Sequence, residues 1–242
     1  MLEAGFWGLG AASALVVGAL IGLSARVERR FVALAMAFGA GALISALAFD
    51  LTEEAFAAGG TLPVAAGLAA GAFVFFTGDQ LLHRRGAARR GKRMHKAAEG
   101  NGPAIVLGAL LDGIPESVVL GSTLLAGAGV GVPFLAAVFL SNVPESLSAA
   151  SDLKREGHQP TWIIGLWVGV AIASGLAAAF GYWLLGDVGS GLVPLIQAFA
   201  AGAILTMLAD TMIPEAFEKG GALTGLATVF GFAAAFLLTK VS

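Results

Sequence analysis

Residues Phe31–Asp50 read FVALAMAFGAGALISALAFD, an apolar stretch with no charge before its final residue. A helix of this length spans about 30 Å, which matches the hydrocarbon core of a bilayer. Similar stretches follow one another along the chain, and the full set is Gly5–Ser24, Phe31–Asp50, Thr61–Leu82, Pro103–Ala126, Gly131–Ser151, Trp162–Leu185, Gly191–Ile213 and Gly221–Thr239. The sequence therefore predicts an all-α polytopic membrane protein with eight transmembrane helices.

Composition favours a membrane protein over a soluble one. Hydrophobic residues make up 57% of the chain and charged residues only 12%, whereas soluble domains carry about 25% charged residues. The chain has no Cys, so a disulfide framework and thiolate ligands are excluded. Glycine pairs spaced four residues apart predict close helix packing, and these pairs are Gly18/Gly22, Gly67/Gly71 and Gly165/Gly169.

Lys and Arg are unevenly distributed between alternate connections. With the N-terminus outside, all of them except Lys240 fall on the inner side, so both termini are predicted to be external in a multi-pass cell-membrane (inner-membrane) protein. The basic segment 83–102 contains His83 and His95. We interpret this segment as a solvated cytoplasmic loop, with metal binding as the alternative. Residues 1–242 are predicted to form a single transmembrane domain.

Two parts of the chain resemble each other. Ala37–Gly60 and Ala198–Gly221 are identical at half of their positions, including Glu54/Glu215 and both terminal glycines. They end predicted spans two and seven, which cross in opposite directions, so the similarity indicates an inverted-topology repeat. We therefore predict a 3+2+3 arrangement in which helices 1–3 and 6–8 are inverted repeats around central helices 4 and 5.

Acidic residues lie in the middle of predicted spans four and five. Glu116 ends the sequence DGIPE, and Glu145 ends SNVPE. A carboxylate at that depth is costly and normally faces a pathway inside the bundle. Asp112 lies one helical turn before Glu116, while Ser141 and Asn142 lie one turn before Glu145. Two antiparallel helices would then form one pocket with three carboxylates, an amide and a hydroxyl.

Proline precedes each of these two acids. Pro115 and Pro144 lack the N–H that would bond the carbonyls of Leu111 and Leu140. Carbonyls freed at membrane depth are tolerated where they line a cavity, so they are candidate extra ligands. The alternative is that both prolines only kink their helices.

Further acids lie near the ends of spans two and seven. We interpret them as attractors for cations on entry and exit, with ordinary solvation at the membrane surface as the alternative. They are Asp50, Glu53, Glu54, Asp210 and Glu215.

At these residues the chain resembles the ZIP (Zrt-, Irt-like) family of divalent-metal transporters. The resemblance covers the eight spans, the long inner loop and the 3+2+3 arrangement. The family's His-Asn-x-Pro-Glu motif is replaced by Asp112–Glu116, and its second polar-x-x-Pro-Glu motif is matched by Ser141–Glu145. Span seven, ending Asp210…Pro214-Glu215, also looks like the family's. The resemblance implies that Asp112, Glu116, Ser141 and Glu145 bind metal and that Asn142 is a bridging ligand.

The chain departs from the family pattern at three places. Asp112 stands where His is usual, Gly113 stands where Asn is usual, and Trp162–Leu185 has no counterpart of the span-six carboxylate. The resulting site is all oxygen. Such a site suits Mn²⁺, Mg²⁺ and Ca²⁺ better than it selects Zn²⁺, although three carboxylates would also bind Zn²⁺ or Fe²⁺.

The predicted function is transport of a divalent metal cation (Zn, Mn, Fe or related) into the cytoplasm by alternating access around one midplane site. The metal is the substrate, no cofactor is predicted, and the protein is not an enzyme. Its partners are the bilayer and the metal, with no nucleic acid, and a homodimer is possible. One alternative is a proton- or cation-coupled carrier of another solute. The other, an intramembrane metallohydrolase, lacks a His-Glu-x-x-His motif in this chain.

Overall fold

The computed structural model describes residues 1–25, 27–88, 102–124, 131–187 and 192–241, and every regular element in these ranges is helical. Long apolar runs form helices because a helix satisfies its backbone hydrogen bonds internally. The prediction of an all-helical protein is confirmed for this part of the chain. The α-helices are α1 (Leu2–Ser24), α2 (Arg29–Ala46), α3 (Glu53–Gly59), α4 (Thr61–Ala88), α5 (Gly102–Thr123), α6 (Val132–Arg155), α7 (Pro160–Asp187), α8 (Val193–Met207), α9 (Ile213–Gly220) and α10 (Thr224–Val241).

Several helical segments are long and apolar enough to cross a membrane. Large apolar side chains such as Phe73, Leu176 and Phe230 point outward from them, with 66–69% of their surface exposed. The chain is therefore a multi-pass membrane protein. Within the described ranges there are six such segments: Leu2–Ser24, Arg29–Gly59, Thr61–Leu81, Val132–Arg155, Pro160–Leu184 and Val193–Val241.

The eight predicted runs do not correspond one to one with these six segments. The run Pro103–Ala126 is only partly described and is not among the six. Val193–Val241 contains the seventh predicted run from Val193 onward and the whole of the eighth, whose first residue, Gly221, has a φ of 67°. The eight crossings and the single 1–242 domain stay predictions.

Two helices continue through a short π-helical segment. Leu47–Thr52 joins α2 to α3 and contains Asp50, while Leu208–Met212 joins α8 to α9 and contains Asp210. Such segments are rare and are frequent at functional sites. α3 and α9 are followed by Gly60 and by Gly221, whose φ angles of 73° and 67° are easily adopted only without a Cβ.

Small residues bring the helices into close contact. α1 packs against α6 and α7, α2 packs against α6 and α10, α4 packs against α8, and α5 packs against α7. A Cβ added at Gly18 would collide with the carbonyl oxygen of Val143, and one at Gly71 would collide with that of Phe199. The backbones of these helices therefore touch where the glycines lie.

The predicted glycine pairs have different outcomes. Gly18/Gly22 and Gly67/Gly71 lie against the backbone of a facing helix, so the prediction is correct there. It is wrong for Gly165/Gly169, whose Cβ positions have no neighbour within 4 Å. The reason is that this pair lies on an exposed face of α7. Spacing alone does not say which face of a helix meets another helix.

Basic side chains gather at one end of the bundle, where α1 leads into α2 and α6 leads into α7. Asp152 lies 3.5 Å from Arg29 of α2 and 3.0 Å from Arg155 of its own helix. Lys154 donates a 2.6 Å hydrogen bond to a carbonyl in the last turn of α1. Lys219 of α9 lines the same cleft as the Asp152 ion pairs. One end of the helix bundle is therefore rich in Lys and Arg side chains, and we call it the cation-rich end.

Candidate metal centre

Proline shapes both helices that carry the predicted ligands. Pro115 lies inside α5 and Pro144 lies inside α6. Because each lacks an N–H, the carbonyl four residues earlier has lost its usual helical donor. Glu116 follows Pro115 and is 3% exposed. Glu145 follows Pro144 and is half-buried.

A small pocket lies beside Glu116 between α1, α5, α6 and α7. Its polar lining comes from Glu116 and Ser117 of α5, Asn142 of α6 and Ser174 of α7. All four residues are at most 8% exposed. The pocket has room for about one water-sized particle. Its remaining lining is small or apolar and consists of Ala11, Ala12, Gly113, Leu120 and Val138.

This lining can hold a cation through oxygen atoms. The carboxylate of Glu116 supplies negative charge, and the amide oxygen of Asn142 and the two serine hydroxyls supply neutral lone pairs. Hard divalent cations prefer such ligands. The apolar remainder excludes bulk water, which strengthens electrostatic attraction inside the pocket.

The structure brings two of the predicted ligands together and places two others outside the pocket. Glu116 and Asn142 line the pocket, whereas Ser141 and Glu145 do not. The hydroxyl of Ser141 donates to the carbonyl of Val138 in its own helix at 2.9 Å. Within the described residues, no three His, Cys, Asp or Glu side chains come together as a metal site.

The predicted group of three carboxylates includes Asp112. This residue lies on α5, but its side chain is outside the part of the chain that the structure describes. The side chain of His83 and the whole of His95 also lie outside it. The three-carboxylate pocket and the loop histidines therefore stay predictions.

Sequence reasoning did not single out Ser117 or Ser174. Ser117 directly follows Glu116, so its closeness to the acid was available as a signal. Ser174 lies in the small-residue stretch Ala173-Ser174-Gly175 of an apolar run, and nothing in that stretch marks it as a ligand. Only the packing of α7 against α5 brings it to the pocket.

The predicted pathway acids lie away from this pocket. Asp50 is half-buried in the first π-helical segment and bonds the side chain of Thr239 of α10. Glu53 and Glu54 begin α3 and are exposed. None of the three lines the pocket of Glu116.

The acids of the second repeat differ from one another. Asp210 is exposed in the second π-helical segment. Glu215 forms an ion pair with Lys219 at 2.6 Å, so much of its charge is balanced locally. A role in attracting cations fits Asp210 better than Glu215.

Comparison with known proteins gives one distant relationship. No family model matches the chain. It is 25% identical over 214 residues to a protein of Arabidopsis thaliana that is provisionally named a zinc transporter. The aligned region covers 87% of this chain and 34% of the plant protein. The chain thus spans about a third of its relative's length, and it is distantly similar to a protein named for metal transport.

Proposed function

We propose that this protein carries divalent metal cations across the membrane and that Glu116 binds them. The observation that carries the proposal is a carboxylate only 3% exposed, in an oxygen-lined pocket between the helices of a multi-pass membrane protein. Acids at such positions normally serve an ion pathway. The distant similarity to a protein named for zinc transport supports a metal as the cargo.

The proposed architecture has eight crossings in a 3+2+3 arrangement of inverted repeats. α2 and α8 each continue through a π-helical segment, and each composite helix is followed by a glycine with positive φ at an aligned position. The first helices of the two repeats, α1 and α7, pack together. α2 packs against α10, and α8 packs against α4. The second helix of each repeat thus packs against the third helix of the other repeat. Such reciprocal packing is expected of two units related by a two-fold axis in the membrane plane.

The proposed orientation places the N-terminus outside. Arg29, Arg155 and Lys219 line one cleft at one end of the bundle. Lys240 lies 5.9 Å from the ring of Phe49, which is in the π-helical segment twenty residues after Arg29 on the α2–α3 helix. Because basic residues favour the cytoplasmic side, the cleft is the inner end.

The predicted ligands take part at different stages of the proposed cycle. Glu116 and Asn142 hold the ion in the pocket described above. Glu145, Ser141 and Asp112 contact it when the helices rearrange during alternating access. Transport runs into the cytoplasm, and Zn²⁺, Mn²⁺ and Fe²⁺ are the candidate cargoes.

Uptake into liposomes containing the purified protein tests the proposal. Metal entry is followed with an internal fluorescent indicator for Mn²⁺, Zn²⁺ and Fe²⁺ in turn. Glu116→Gln keeps the shape of the side chain and removes its charge, so uptake and equilibrium metal binding should each fall more than about tenfold. Glu218→Gln removes an equally charged but exposed acid of α9 and should change neither.

Two results would contradict the proposal. One is wild-type protein that binds and transports none of the three metals, especially if a proton gradient drives uptake of an organic solute instead. The other is full metal uptake by Glu116→Gln, which would remove this residue from the pathway.

A further inference from the structure

We propose that Ser174 of α7 contacts the cargo ion and helps to determine which metal the pocket accepts. The inference rests on the proposed function. It adds a third helix to a site that sequence motifs place only on α5 and α6.

Ser174 lies on the inward face of its helix. It is 2% exposed, and Ala171 and Ala178, one turn away on either side, are at most 7% exposed. By contrast, Ile172 and Leu176 are 51% and 66% exposed on the outward face. Ser174 therefore belongs to the part of α7 that packs against the bundle, and it lines the pocket with Glu116 and Asn142.

Gly113 of α5 leaves the space in front of Ser174. A Cβ added at Gly113 would lie 3.2 Å from the hydroxyl oxygen of Ser174, which is closer than ordinary van der Waals contact. Glycine at this position therefore lets the hydroxyl lie against α5 without being displaced. Any larger residue at position 113 would compete with it for space.

The hydroxyl of Ser174 is not used within its own helix. Ser122 of α5 and Ser141 of α6 donate to backbone carbonyls of their helices at 2.7 and 2.9 Å. Within the described residues, Ser174 makes no such bond to its own helix. Its hydroxyl oxygen, which has two lone pairs to offer, is therefore available to an ion in the pocket that it lines.

The chemical consequence is selectivity for hard cations. A serine hydroxyl adds an oxygen ligand without adding charge or a softer donor atom. Such a ligand suits Mn²⁺ and Mg²⁺, whereas thiolate and imidazole ligands would favour Zn²⁺. Ser174 thus keeps the pocket's donor set entirely oxygen.

Ser174→Cys is the decisive variant because it changes one atom in a chain that has no other Cys. The preference for Zn²⁺ over Mn²⁺, measured by competitive equilibrium binding to the purified protein, should rise about tenfold. Zn²⁺ should also protect the new thiol from alkylation. Ser122→Cys is the matched control: this serine is also 2% exposed but does not line the pocket, and neither effect is expected.

A second pair of variants tests the inference even if the Ser174→Cys protein does not fold. Ser174→Ala should weaken Mn²⁺ binding roughly fivefold, as expected for loss of one polar interaction. Gly113→Ala should have a similar effect because its new Cβ displaces the hydroxyl. The double variant should be no weaker than Ser174→Ala alone, since both changes remove the same contact.

The outcomes separate this inference from the proposed function. If wild type binds Mn²⁺ and Glu116→Gln does not, but Ser174→Cys and Ser174→Ala both bind metals like wild type, the inference is wrong and the proposed function stands. Fully additive losses in the double variant would also overturn it. Wild-type protein that binds neither metal would instead overturn the proposed function.

Discussion

Glu116 is 3% exposed in the middle of α5, so other groups must compensate for its charge. Burying a carboxylate costs several kcal/mol even after the protein relaxes. Under the proposed function, a divalent cation held between the carboxylate and the neutral oxygens of Asn142 and Ser174 would offset part of that cost. The same attraction must be weakened for release, which requires the pocket to open to water.

Substitutions of Glu116 and Glu145, the two acids that follow a proline, should affect metal binding and metal uptake differently. Glu116 lines the pocket, whereas Glu145 is half-buried and lies outside it. We expect Glu116→Gln to lower equilibrium metal binding more than about tenfold. Glu145→Gln should keep binding within about threefold of wild type while the maximal uptake rate falls at least about tenfold. Binding and uptake measured on the same preparations test this, and equal loss of binding in both variants would place both acids on one ion at once.

Part of this site could be predicted from residues alone. Two Pro-Glu sequences on neighbouring antiparallel spans place Glu116 level with Asn142, and the structure has both in one pocket. The position of Glu145 outside it depends on the rotation of α6, which spacing does not determine. Ser174 was not predictable, because serine is common on the packed faces of membrane helices and its role depends on Gly113 of another helix.

At the scale of helices, glycine sets how closely the repeats approach each other. A Cβ at Gly41 of α2 would collide with the Thr228 carbonyl of α10, and one at Gly202 of α8 would collide with the Leu68 carbonyl of α4. Gly41 and Gly202 occupy the same position in the internal sequence repeat. The apolar runs predicted these helices well. The π-helical segments were not predicted, because they arise from a hydrogen-bond shift that has no mark in hydropathy.

Matched glycine substitutions should show which helix contacts support the fold. Gly202→Ala forces α8 away from α4 and should lower the free energy of unfolding by about 1–3 kcal/mol, the usual range for overpacking. Gly165→Ala adds the same methyl group to an open face of α7 and should cost nothing. Thermal unfolding of both proteins in one detergent measures the difference. Equal behaviour would mean that α4 and α8 are not as tightly packed as described.

At the scale of the whole molecule, basic side chains are concentrated at one end of the helix bundle. The ion pairs that join Arg29, Asp152 and Arg155 are partly exposed, so each adds at most about 1 kcal/mol to stability. Under the proposed orientation these basic residues matter more for topology, since Lys and Arg near membrane helices are retained on the cytoplasmic side. The sequence predicted this asymmetry. Packing of the helices was needed to bring residues 29, 155 and 219 into one cleft.

The absence of Cys makes the orientation directly testable. Ala58 lies on α3 beyond the first π-helical segment, and Gln159 lies in the connection between α6 and α7; both are exposed. If the cation-rich end is cytoplasmic, Ala58→Cys should react with a membrane-impermeant thiol reagent added to intact cells. Gln159→Cys should react only after the membrane is permeabilised, because the same reagent cannot reach the inner end. The reverse pattern would mean that the orientation is the opposite of the one proposed. Labelling of both positions from outside would mean that the chain crosses the membrane an even number of times between Ala58 and Gln159, and not once in each of α4, α5 and α6.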